Sequence, residues 1–174
     1  FFYLKKFTIN LNKEMYLCIF SLWPVLYILL SKFYITGNKK TNIQINRNII
    51  SAIHSVGCSL GSILAYYTNS PPITNYVIYY SISYFIWDSY YIVICKDNYP
   101  FIIHHVITIY VLRLILTGYH SQLLIFLVAL GEISNLPYYL VYHKLKTLSK
   151  NDPTLRFWRH IQMCWFILIR FIVF

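Results

Sequence analysis

Six apolar stretches, each near the length a helix needs to cross a lipid hydrocarbon layer, set the strongest limit on what this chain can become. They occupy residues 15–35, 48–67, 76–95, 101–118, 122–142 and 157–174. A spanning helix takes ~20 predominantly apolar residues. The connections carry turn-forming residues: "TGNKKTN", "TNSPPITN", "KDNYP", "TGYHS" and "KLKTLSKNDPTLR". Of 174 residues, 58% are apolar and only 11% charged, more apolar surface than a soluble domain of this size can bury. The expected fold is therefore all-α, a polytopic membrane protein of about six transmembrane helices around a central cavity. Residues 1–14 are expected as a lumenal N-terminal segment and 15–174 as the multi-pass domain. The chain begins at Phe1 and stops within an apolar run at Phe174, so it is expected to be a piece of a longer protein, incomplete at the C-terminus.

The net charge of +10 would suggest nucleic acid in a soluble protein. Here the bases gather at the ends of apolar stretches, where they set orientation and meet anionic headgroups. No nucleic-acid partner is expected. One set of loops and ends holds Lys5, Lys6 and Lys13; the other holds Lys32, Lys39, Lys40, Arg47, Lys96, Lys144, Lys146, Lys150 and Arg156. The richer side is expected in the cytosol, which places the N-terminus in the lumen. Cys18, Cys58, Cys95 and Cys164 have no CxxC spacing and read as small core hydrophobes. Gly57 and Gly61 form a small-xxx-small pattern suited to close helix packing in lipid.

Five ionisable side chains lie inside the apolar stretches: His54, Asp88, His104, His105 and Glu132. Such groups are costly in hydrocarbon and normally face a bundle interior or a wet cavity. At ~1.5 Å of rise per residue, His54, Asp88, His105 and Glu132 sit roughly 8–16 Å from the cytosolic helix ends. Four separate helices thus bring polar groups to comparable depth. His104 and His105 are about 100° apart on their helix, so they border one cavity without pointing alike. Thr108 shares their face. Glu132 precedes Pro137 by five residues, and that proline frees the carbonyl of Ile133 and favours a kink.

In order along the chain stand "RNIISAIHSVGCSLGS", "YFIWDSYYIV", "YPFIIHHVIT" and "GEISNLPYYL". This ordered set, from about Arg47 to Leu140, resembles the TLC-domain family, the multi-pass membrane proteins that include ceramide synthases. In those enzymes the paired histidines open a signature that closes with two Asp separated by two residues. Glu132 and Asn135 stand at those positions here, with Ser134 between them, a departure that resembles the Glu-containing branch. The resemblance implies an endoplasmic-reticulum-type membrane protein whose tunnel holds an acyl chain. It also implies that His104 or His105 acts as nucleophile or general base, oriented by Glu132, in transfer from acyl-CoA to a long-chain amine. From depth alone, at least one of the two histidines is expected to be partnered by Asp88 or Glu132.

The expectation is a protein that handles acyl lipids or sphingolipids, by binding them in an intramembrane cavity or by His-dependent acyl transfer. Arg47, His54, Asp88, Thr108, Ser134, Asn135 and Arg170 are the expected cavity or lipid-binding residues. The alternative is a non-catalytic regulator of membrane lipid composition. A membrane metalloenzyme using His54, His104, His105, Asp88 and Glu132 is less favoured, because HxxxH and HxxHH spacings are absent. No metal or cofactor is expected. The expected partners are membrane lipids, acyl-CoA with a long-chain amine, and a second copy of the chain in a homo-oligomer.

Overall fold

The apolar stretches form six helices in chain order: α1 (Phe2–Phe33), α2 (Lys39–Thr68), α3 (Pro71–Cys95), α4 (Pro100–Leu116), α5 (Ser121–Thr147) and α6 (Pro153–Ile167). A π-helical turn, Leu168–Ile172, continues α6. The computed structural model describes residues 2–33, 38–95, 99–148 and 152–172, with side chains between Cys18 and Phe171. Lys5, Lys6, Lys13, Lys96 and Lys150 of the charge argument lie outside the described side chains. Among the described residues there is no strand.

Helices α2, α3 and α6 start before their apolar stretches, for local reasons. The Asn38 side chain accepts from the backbone N–H groups of Lys40 and Thr41, starting α2 well before the apolar stretch at residue 48. Helix α3 starts on Pro71, where a proline's missing N–H costs nothing. Asp152 caps α6 through the N–H and hydroxyl of Thr154, and those bonds hold its carboxyl below the usual carboxylate range. The division expected between residues 14 and 15 falls inside α1, a single helix from Phe2.

Helices α2, α3, α4 and α5 form a closed ring, each packing on the next, with α5 returning onto α2 in the broadest contact. Helix α1 lies against α2 and α3, and α6 against α5. Trp23 keys α1 into place: its side chain is fully buried and its indole N–H donates to Ser83 Oγ at 2.8 Å.

Burial is inverted relative to a water-soluble bundle. His54, Ser55, Ser62, Ser81 and Ser83 are fully buried, whereas Leu60, Ile103, Val106 and Tyr110 face outward. Lipid as the surrounding solvent accounts for both halves of that pattern, since apolar side chains cost nothing there and polar ones must turn inward. Among the described residues two helices, α2 and α5, suffice by length and composition to cross a bilayer. Helix α4 has 17 residues and the apolar part of α1, Cys18–Phe33, is also short. Helix α3 has 25 residues but carries many tyrosines and Asp88.

Helix α3 packs closely on the small-residue stripe of α2. A Cβ at Gly61 would stand 2.6 Å from Val77 Cγ2, and one at Gly57 would stand 2.6 Å from Tyr80 Oη. Val77 is β-branched and stiff, so it has little room to yield. Gly61→Val is expected to destabilise the bundle by about 1–3 kcal/mol, the usual cost of overpacking. Thermal unfolding in detergent checks this; an unchanged midpoint would mean that α2 and α3 do not touch here.

Candidate functional site: a polar cavity inside the helix ring

A cavity of about 550 Å³ opens within the ring. Its walls come from the start of α2 (Gln44, Arg47, Asn48, Ser51), the later half of α3 (Tyr84, Phe85, Asp88) and the start of α4 (Pro100, Phe101, His104, His105). Helix α5 supplies Glu132, Asn135, Tyr138, Tyr139 and Tyr142, and the π-turn supplies Arg170. The cavity lies toward the end of the bundle that carries Lys39, Lys40, Lys144 and Lys146.

Arg47 and Asp88 form the strongest link across it. Arg47 Nε donates to Asp88 Oδ1 at 2.5 Å and Nη2 to Oδ2 at 3.0 Å, a two-pronged charge-assisted pair between α2 and α3. The same Oδ2 lies 3.5 Å from His105 Nε2 on α4. The other ring nitrogen of His105, Nδ1, is hydrogen-bonded to Ser89 Oγ at 3.0 Å. A polar line therefore runs from Arg47 through Asp88 to His105 and Ser89, joining three helices. Both nitrogens of His105 face protein partners, and the residue is buried. Its neighbour is placed differently. His104 is exposed, lines the cavity, and makes ring contacts with Phe85 and His105. Its ring nitrogens have no hydrogen bond among the described residues.

A second cluster lies behind the cavity wall. His54 is fully buried and stacks on Tyr84, with ring centroids 3.9 Å apart and planes 10° apart. Its Nδ1 is 3.9 Å from Glu132 Oε2. The Tyr84 hydroxyl donates to Ser51 Oγ at 2.7 Å, so Tyr84 separates His54 from Asp88 without bonding either.

Either Asp88 or Glu132 was expected beside the paired histidines. The carboxylate nearest His105 is Asp88, because α3 packs directly on α4, whereas Glu132 on α5 faces His54 on α2. Arg47, Asp88, His104, His105, Glu132, Asn135 and Arg170 all line the cavity. Three expected residues do not. His54 sits behind the wall, and the Thr108 hydroxyl donates back to its own helix at the carbonyl of His104. Ser134 donates to the carbonyl of Gly131 and accepts from Arg170 Nε at 3.1 Å. Ser89 and the tyrosines of α5 were not expected at the site. A serine in an apolar helix carries no signal until its partner is known.

The carbonyl freed by Pro137 finds a partner on α6. The Ile133 carbonyl, left without its usual donor by Pro137, accepts from Trp165 Nε1 at 3.0 Å. Asn48 Nδ2 donates to the Tyr139 carbonyl and Ser55 Oγ to the Glu132 carbonyl, so α2 is bonded to the backbone of α5 on either side of Pro137.

A helical bundle that turns polar groups inward and apolar ones outward is of the class suited to a membrane. The family follows from sequence: residues 44–174 match the family model of the TLC domain, and the chain belongs to that family of membrane proteins. The match begins within α2, so α1 precedes it. No curated protein and no solved structure is significantly similar to the chain.

Proposed function

We propose that this protein crosses the membrane six times and holds the polar end of an acyl lipid or sphingolipid in the cavity of the helix ring. The observation that carries the reading is the cavity itself: a polar pocket, lined by Arg47, Asp88, His104 and Arg170, in a bundle whose outer face is apolar. A lipid matches both surfaces, with its headgroup among the charged and phenolic side chains and its chain against apolar wall. The proposed membrane is that of the endoplasmic reticulum, with the N-terminus lumenal and the basic end of the bundle cytosolic. An acceptor site for N-glycosylation inserted on a flexible loop between Asn69 and Ser70 is then expected to be modified. Modification of the same loop placed before Lys39 instead would reverse the orientation.

One observation favours a second, chemical step. His104 lines the cavity while His105, held by Asp88 and Ser89, fixes the start of α4. In acyl transfer an amine nitrogen attacks the thioester carbonyl of acyl-CoA. A neutral imidazole takes the amine proton and returns it to the leaving thiolate, giving an amide and free CoA. His104 has the exposure for that role, and His105 is its positioning neighbour. Native mass spectrometry of the detergent-purified protein tests the binding reading. Co-purified or added acyl lipid is expected to remain bound at about one molecule per chain. A protein that carries no lipid and takes up none would overturn it.

A further inference from the structure

We propose that His54, Cys58 and Glu132 form a binding site for one divalent transition-metal ion of the zinc class, set between α2 and α5 beside the lipid cavity. The three side chains are buried, and their ligand atoms all lie within 4.8 Å of one another. His54 and Cys58 are one helical turn apart, so α2 offers both on one face. Glu132 reaches in from α5, the helix that α2 packs against most broadly. Zinc bonds of ~2.0–2.3 Å in a tetrahedral site place donor atoms roughly 3.3–3.8 Å apart. The His54 Nδ1 to Glu132 Oε2 distance of 3.9 Å already nearly meets that spacing.

The second, independent observation is a set of polar atoms with nothing to bond. Both ring nitrogens of the fully buried His54, and Oε2 of Glu132, have no hydrogen-bond partner. Buried polar atoms of native proteins are almost always partnered, and here an unpartnered His54 nitrogen and Glu132 Oε2 face each other with the Cys58 sulfur beside them. Water is a poor filler, because one of the three converging groups is a thiol, a weak hydrogen-bonding partner. A metal ion satisfies an imidazole, a sulfur and a carboxylate together. The sulfur has outer support as well: Ser81 Oγ donates to Cys58 Sγ at 3.0 Å and Ser62 Oγ lies 3.9 Å away. Hydrogen bonds of this kind steady a thiolate ligand.

The donor set chooses the ion. One sulfur, one imidazole and one carboxylate suit zinc or a neighbouring first-row ion, whereas magnesium and calcium need mostly oxygen. Three protein ligands leave a fourth position open. Glu132 also lines the cavity, so that side of the ion is the one a cavity ligand could reach. Nothing in this site depends on which lipid the cavity holds.

Cobalt(II) reports the site directly. The full chain, purified in detergent, freed of any affinity tag and stripped with a chelator, is titrated with Co²⁺ and then with Zn²⁺. The expected result is uptake of one equivalent per chain, with a thiolate-to-cobalt charge-transfer band that Zn²⁺ abolishes. The band is expected to survive Cys18→Ser/Cys95→Ser/Cys164→Ser, which keeps Cys58 alone, and to vanish in Cys58→Ser. His54→Gln and Glu132→Gln are expected to weaken Zn²⁺ binding by about a hundredfold or more, since loss of mere supporting partners already costs 10–100-fold. Folded wild-type protein that takes up no Co²⁺ beyond a detergent blank overturns the proposal. So does a charge-transfer band that persists in Cys58→Ser. The wild-type titration decides the question even if a variant fails to fold.

Discussion

Arg47→Met alone is expected to destabilise the bundle by about 3–5 kcal/mol, the cost of leaving the buried Asp88 charge without its two-pronged partner. Asp88 is 3% exposed and takes both prongs of the Arg47 guanidinium, so no solvent replaces what is lost. His105, 3.5 Å from the same carboxylate, is the only other charge-capable group that the described ion pairs give to Asp88. The double variant Arg47→Met/Asp88→Leu is expected within about 1 kcal/mol of wild type, because a buried pair replaced by apolar groups of similar size often breaks even. The measurement is a double-mutant cycle on thermal unfolding in detergent. A coupling below about 0.5 kcal/mol, the range of ordinary additivity, would mean that the pair does not strut α2 against α3.

The paired histidines are expected to separate into two phenotypes. His105→Ala strips a hydrogen bond to Ser89 and the contact with Asp88, and is expected to lower stability by roughly 1 kcal/mol, typical of hydrogen bonds between membrane helices. His104→Ala removes an exposed ring and is expected to leave the unfolding midpoint within about 0.5 kcal/mol of wild type. With acyl-CoA and a long-chain amine as substrates, His104→Ala is expected to cut transfer by roughly a hundredfold or more while lipid stays bound. Equal loss of transfer in both variants, with equal loss of stability, would remove the division of labour. Wild-type protein that binds lipid but transfers nothing would leave the binding function standing without the chemistry.

Much of this was legible in one chain of letters, and the limits are instructive. Six helices followed from six apolar stretches, and the inward turn of Asp88, His105 and Glu132 followed from the cost of charge in lipid. Depth is readable because residue count along a helix is distance. Azimuth between helices is not, which is why Asp88 and Glu132 were both open as partners of the paired histidines, where Asp88 is the one beside His105. The freed carbonyl of Ile133 could be deduced from Pro137, but its donor, Trp165, is 32 residues away. Cys58 read as a small core hydrophobe because its nearness to Glu132 appears only with α5 in place. Helix starts were misjudged for a different reason: the polar turns of α2 before residue 48 are held by the Asn38 cap rather than by apolarity.

The π-turn at Leu168–Ile172 has a consequence for the cation at the cavity wall. In an α-helix each residue advances about 100°, and a π-turn inserts one residue's worth of phase without adding a turn. Arg170 sits in the middle of that insertion, stacked over Phe166 and bonded to Ser134, with its guanidinium at the cavity. Where the positive charge points is thus a property of winding as much as of residue type. Deleting a single neighbouring residue would rewind the segment and swing the same arginine about a quarter-turn away. The cavity would lose a charge while the composition of its helix stayed almost the same. A helix can therefore be read here as a dial, and this chain has set it one notch off the regular pitch.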